Sequence, residues 1–280
     1  MTLKTVSIRT DHGNFNVRIM GAQGSWLICW PSQLNDHTSL LDFAGLLSLH
    51  HRVVLIDPPA MGSNRHLPYS THIADYMPFA MSVFRGLGIT SCHWVGHGAG
   101  GVVGAALAVA KPERIISLTL ASTPMINPGR FKRSAVALIE MLSGFGMGRR
   151  LLIRCGMEQL GYADKQERAW IKRRLNDMLE RTDPQTISRM RPLDGPSVRR
   201  IFDKLSLQPP PMLILCGKHD RSVLPRDQRT VAEITRAIFV ELPCGHATLL
   251  AEQETCAHAV ERLTRMQDKA SHQASSLIAA

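Results

Sequence analysis

Hydrophobic and polar positions alternate over residues 5–9 and again over 16–19, the period of half-buried strands. Asp11-His12-Gly13-Asn14 between them is hairpin punctuation. The pattern then changes. Residues 26–30, stopped by Pro31, and 52–56, stopped by Asp57-Pro58-Pro59, are continuous apolar runs. Such runs suit strands covered on both faces, as in a parallel sheet. Residues 71–87 predict a helix with Ile73, Tyr76, Met77, Phe79, Ala80 and Phe84 on its apolar side. Residues 92–95 predict a short strand, 99–110 a buried helix of small apolar residues, and 115–120 a further strand. This alternation predicts an α/β sheet with crossover helices.

After Ala121-Ser122-Thr123-Pro124 the strand runs cease. From 125 to 207 the chain is Arg-rich and helix-forming, and Pro209-Pro210-Pro211 ends that stretch. Strand patterns resume at 212–216 and 237–242, followed by an amphipathic helix over 248–266. The expected organisation is a core of residues 1–124 and 208–267 with a helical lid, 125–207, inserted between two strands. An Ala/Ser/Gln-rich tail, 268–280, is expected to be disordered. The lid is expected over the C-terminal ends of the strands, where open α/β sheets bind ligands.

Composition narrows the class. The 280 residues are 44% hydrophobic and 20% charged, which fits one globular domain with an insertion. No apolar stretch reaches the roughly 18 residues of a membrane span. Residues 1–9 lack an apolar core and a cleavage site, so no signal peptide is expected. Six cysteines lie far apart without a CxxC pair, which fits reduced thiols and a cytoplasmic location. The net charge of +10 is concentrated in the middle: residues 130–204 hold 17 Lys/Arg against 9 Asp/Glu. No nucleic-acid motif accompanies this charge and aromatics are only 5%, so nucleic acid is disfavoured as a partner. A solvated helical face is the simpler account. The sharper one is a surface that draws in an anionic or thioester-linked small molecule.

The chemistry centres on Trp94-Val95-Gly96-His97-Gly98-Ala99-Gly100-Gly101, a strand that runs through glycines into a helix. A dinucleotide loop would need its G-x-G-x-x-G after the first strand and an acidic residue ending the next strand, but these glycines come late in the strand order and no acidic residue ends the strand that follows. The stretch resembles instead the G-x-S-x-G nucleophile elbow of the α/β-hydrolases, with Gly96 and Gly100 at the small positions and Gly98 in place of the serine. Leu215-Cys216-Gly217-Lys218-His219-Asp220 resembles the family's acid-bearing strand end, and Leu242-Pro243-Cys244-Gly245-His246 its Gly-His segment. Asp57-Pro58-Pro59-Ala60-Met61-Gly62-Ser63 resembles the D-x-P-G-x-G-x-S turn, with Ala60 for one glycine, and Trp30-Pro31 stands where the family has His-Gly. The resemblance covers roughly residues 15–265 and implies an α/β-hydrolase fold: a mostly parallel sheet flanked by helices, with a helical lid.

It also implies roles. Asp220 would orient His246 as a general base. Ala99 and Ser32 would supply oxyanion-hole N–H groups beside Pro31, which has none. Gly98 cannot form an acyl-enzyme. Cys29, Ser32, Ser122 and Cys244 lie near predicted strand ends as replacement nucleophiles, but none has an elbow, and each is assigned a structural role. His97 and His219 are assigned to packing around the site. No metal-ligand spacing and no cofactor motif is present.

Three readings follow. The first is an enzyme that acts on a small acyl or carbonyl compound, hydrolase-, lyase- or cyclase-like, with His246–Asp220 as general base. The second is a catalytically inactive homologue, a ligand-binding or protein-interaction module resembling the N-myc downstream-regulated group. The third is an engineered knockout of an ordinary serine hydrolase.

Overall fold

The two alternating segments pair as a hairpin, β1 (Lys4–Thr10) antiparallel to β2 (Gly13–Met20). The computed structural model describes residues 2–33, 35–126, 160–182, 186, 193 and 195–278. The apolar runs form β3 (Trp26–Trp30), β4 (Arg52–Ile56), β5 (Cys92–His97), β6 (Ile115–Ala121), β7 (Met212–Gly217) and β8 (Ile238–Leu242). They join one eight-stranded sheet in the order β1-β2-β4-β3-β5-β6-β7-β8. Only the β1–β2 and β2–β4 pairs are antiparallel.

The central strands are covered on both sides, as their unbroken apolar character requires. In β3, Ile28 and Trp30 enter one core cluster while Leu27 and Cys29 enter the other. This is the two-residue period of a strand packed on both faces. Helices α2 (Met77–Leu87), α3 (Ala99–Ala110), α5 (Gly195–Leu205) and α6 (Pro225–Thr235) contribute to the first cluster. Helices α1 (Leu41–Leu47), α7 (Thr248–Ala251) and α8 (Gln253–Ile278) contribute to the second. Helix α3 is apolar all round and is buried accordingly. Gly104 is packed so closely on Trp94 and Leu118 that the helix lies tight on β5 and β6.

The inserted segment contributes α4 (Lys165–Arg181) and α5. Asp164 N-caps α4, its carboxylate accepting the Glu167 N–H at 2.8 Å. Helix α5 buries Val198, Phe202 and Leu205 in the first cluster. Residues 127–159 of the expected lid lie outside the described residues.

One expectation is corrected. The segment 268–280, read as a disordered tail, is helical as far as Ile278, the last described residue. Its Ala-rich composition favours helix. Cys256, Val260 and Leu263 bury one face of α8, which seeds the helix that continues beyond them. Asp268 then docks it, accepting hydrogen bonds from His93 Nε2 at 3.1 Å and from the Ser25 hydroxyl at 2.9 Å.

Candidate active site

Strand β5 ends at His97, and the chain turns at Gly98 with φ 54° and ψ −118° before α3 begins. Glycine holds this conformation without steric cost, whereas a side chain would be strained. The turn is fixed by the Gly98 N–H to Ala121 C=O bond at 2.9 Å and the Gly101 N–H to Gly98 C=O bond at 3.1 Å. Gly100 faces the backbone of Trp30 and Pro31, where a Cβ would overlap the chain. The loop after β3 can therefore lie directly on the first turn of α3. Trp30 stacks on Trp94 at 5.7 Å, and Trp94 Nε1 donates to Gly100 C=O at 3.0 Å. The Ala99 N–H sits at the start of α3, where a helix has no internal acceptor for it and its dipole favours negative charge.

Asp220 lies in the turn that follows β7, and only 2% of it is exposed. One carboxylate oxygen accepts the N–H groups of Ser222 at 2.8 Å and Val223 at 2.9 Å. The other accepts from His246 Nδ1 at 2.9 Å. This bond places the imidazole proton on Nδ1 and leaves Nε2 of the neutral ring as the basic nitrogen. The sequence-predicted pair is thus brought together, with the carboxylate saturated by donors on both oxygens.

The histidine loop is held from three directions. The His246 N–H donates to Leu160 C=O at 2.8 Å, and the Gly245 N–H donates to Glu167 Oε1 at 2.9 Å. His97, the residue before Gly98, donates from Nε2 to His246 C=O at 3.0 Å, and the two rings lie 5.3 Å apart. Burial, reinforced by the neighbouring His246, pushes the His97 imidazole down to about 4, so it is neutral near pH 7. His97 therefore connects the Gly98 turn to the His246 loop. Glu167 and Leu160 are contacts that the sequence did not disclose, because they come from the inserted segment and match no motif.

Ser32 also arrives at the elbow. A Cβ built on Gly98 would overlap the Ser32 hydroxyl and lie 2.9 Å from its Cβ. The other replacement candidates are placed differently. Cys29 is sealed within β3, and burial pushes its thiol far up. Cys244 is buried, and burial followed by nearby Glu167 raises its thiol well above the ordinary range. Ser122 is fully buried. His219 is exposed, and its N–H donates to Cys244 C=O at 3.0 Å.

Beside Ala99 lies a narrow cleft lined by Trp30, Gln33, Tyr69, Ile73, Tyr76 and others. It is largely apolar, with the Gln33 amide donating to the Tyr69 hydroxyl at 3.2 Å. The Asp57 turn closes one side through Pro58, Pro59 and Met61. Ala60 in that turn has φ 68°, the left-handed conformation that its related glycine would adopt freely. Asp36, His37 and Asp57 cluster with potential metal-ligand atoms within 4.8 Å of one another. Both Asp57 oxygens, however, accept hydrogen bonds from His37 and Ser63. Burial alone would raise the Asp57 carboxyl, but these bonds outweigh it and hold the group at about 2. The cluster acts as a clasp for the turn.

The profile of the alpha/beta hydrolase family matches residues 12–259. The chain belongs to the alpha/beta hydrolase family. A putative carbamate hydrolase, RutD, of Variovorax paradoxus (strain S110) is 33% identical over 99 residues, 34% of this chain. The match spans only 37% of the length of that relative. Among solved structures, the enol-lactonase from Burkholderia xenovorans LB400 superposes with a TM-score of 0.78 at 19% identity, covering 94% of this chain and all of that one. A hydrolase from Pseudomonas aeruginosa PA01 superposes with a TM-score of 0.78 at 20% identity over 93% of this chain and 98% of that one. At such identities these likenesses establish the fold. Among the described residues, no helix of this family member is long and apolar enough to cross a membrane.

Proposed function

We propose that this hydrolase-family chain is an enzyme acting on a small acyl or carbonyl compound, with His246 as general base oriented by Asp220 and no serine at the elbow. The observation that carries the proposal is the 2.9 Å His246–Asp220 bond beside the turn at Gly98. A structural histidine needs no carboxylate with both oxygens saturated, whereas a base must keep one tautomer and one orientation through its cycle. His246 takes a proton from the attacking or reacting group. The Ala99 and Ser32 N–H groups face the developing oxyanion. The apolar side chains of the narrow cleft beside Ala99 would face the acyl or carbonyl body. The relatives, a putative carbamate hydrolase and an enol-lactonase, agree with hydrolysis of a small carbonyl compound.

The inserted segment, residues 125–207, serves in this proposal as a lid. Two of its residues, Leu160 and Glu167, hold the histidine loop. The basic face of α4, with Arg173 and Arg174, would favour an anionic or thioester-linked substrate.

The test is turnover of a panel of short esters, thioesters, carbamates and lactones by the wild-type chain and by His246→Ala. The expected result is activity on at least one class, reduced by about 10²- to 10⁴-fold in the variant, the usual contribution of a positioned base. Equal turnover in both proteins would overturn the role of His246, and no turnover in either would replace the enzyme proposal with that of an inactive homologue that binds a ligand or a partner protein.

A further inference from the structure

Gly98 leaves a gap in the chemistry but not in space. The volume that an elbow side chain would enter is already taken by the hydroxyl of Ser32, which reaches it from the loop after β3. In an ordinary elbow the serine oxygen projects from the Cβ that Gly98 lacks, so the two hydroxyls would compete for one place. The elbow glycine and the serine of the facing loop form a complementary pair.

We infer that Ser32 is the nucleophile of this site, delivered by the loop after β3 instead of by the elbow. The inference rests on His246 acting as the base. The geometry favours it in three ways. First, the loop is rigidly seated: Trp30 is stacked on Trp94, its backbone is pressed on Gly100, and the Asn35 N–H donates to Ser32 C=O at 3.1 Å. A nucleophile on such a support keeps its position. Second, Ser32 is partly accessible, as attack on a substrate requires, while Cys29, Ser122 and Cys244 are buried. Third, Ser32 meets the Gly98 turn that leads into α3 at Ala99, and His97, the residue before Gly98, donates to His246 C=O at 3.0 Å, which ties the histidine loop to that same turn.

The step balances without any other reactant. The Ser32 Oγ forms a bond to the acyl carbon while its proton passes to His246 Nε2. The oxyanion is held by the Ala99 N–H. Collapse breaks the bond to the alcohol, thiol or amine leaving group, which takes the proton back from His246. Water, deprotonated by His246, then hydrolyses the acyl-Ser32 ester and restores the hydroxyl.

A fluorophosphonate probe tests this on the intact protein, since attack forms an O–P bond, expels fluoride and leaves a stable adduct. Fragmentation of the tryptic peptide locates the label. The expected result is phosphonylation at Ser32, slowed at least 10-fold in His246→Ala and absent in Ser32→Ala. Should Ser32→Ala fold poorly, Ser32→Cys preserves the shape of the loop. That variant should be alkylated by iodoacetamide at residue 32, faster with His246 present than in the Ser32→Cys/His246→Ala protein. An unlabelled Ser32 in folded wild-type protein, or label on another residue, overturns the assignment. The two proposals fail separately. If ester turnover survives Ser32→Ala but not His246→Ala, the histidine acts on water and the Ser32 assignment falls alone. If turnover survives both substitutions, both proposals fall.

Discussion

Gly98 is where residue-level physics has most to say. With φ 54° and ψ −118°, and with the Ser32 hydroxyl in the way, Gly98→Ser meets two penalties: backbone strain and a steric conflict. It should lower stability by about 1–3 kcal/mol in urea unfolding. Combined with Ser32→Gly, the steric part should be relieved, so the double variant should be more stable than the two single losses added together. Additive losses would mean that the two residues do not share the space. This pair also marks what was legible. The elbow, Asp220 and His246 could be read because each sits in a short motif whose residues are dictated by local geometry. The closeness of Ser32 to Gly98 could not, because it depends on how far the loop after β3 reaches over α3. That distance is set by packing at Gly100 and Trp94, far away in sequence.

At the scale of elements, strands were readable because unbroken apolar runs and alternation report directly on burial. The closing helix was readable only in part. Its apolar face carries the pattern as far as Leu263, and beyond it the docking at Asp268 depends on His93 and Ser25, contributed by β5 and by the turn before β3. Asp268→Ala should therefore lower stability by about 1–3 kcal/mol, since it leaves the buried His93 N–H without this acceptor. Loss of helix signal in circular dichroism together with lower urea resistance would support it, and an unchanged unfolding midpoint would argue against it. The link from α4 to the site was invisible in the sequence. Glu167→Ala removes the acceptor of the Gly245 N–H and loosens the loop that carries His246. We expect kcat/KM to fall by about 10-fold, the equivalent of roughly 1.4 kcal/mol, with a smaller fall for Glu167→Gln, whose amide oxygen can still accept. Equal effects of both variants would contradict this positioning role.

The whole molecule should be acid-sensitive in a defined window. His97 is held down to about 4 by burial and the neighbouring His246, and burial also lowers His93 and His51. Unfolded histidines protonate near pH 6.5, so below that value the unfolded chain binds more protons than the fold. Stability is complete above pH 6.5 and falls as the pH drops towards 4, by about 3 kcal/mol from His97 alone. Asp57, held at about 2, adds a separate loss between its unfolded value near 3.8 and about 2. Urea midpoints measured from pH 7.5 to 4.5 should fall steadily below pH 6.5, and a flat profile would show these imidazoles to be solvated. Fold class followed from strand and helix alternation and from the spread of motifs over the chain, which the family match over residues 12–259 supports. Function did not follow to the same extent, because the elbow glycine removes the one residue whose identity names the reaction.

The central claim is that Asp220 and His246 act as one catalytic unit, and a double-mutant cycle on kcat/KM measures that most directly. His246→Ala, Asp220→Asn and the combined variant are compared with wild type on the best ester or thioester substrate, with folding checked by thermal melts. Each single variant should lose about 10²- to 10⁴-fold, and the combined variant should be no slower than His246→Ala alone, because Asp220 works only through the imidazole. Losses that multiply, or single variants as active as wild type, would contradict it.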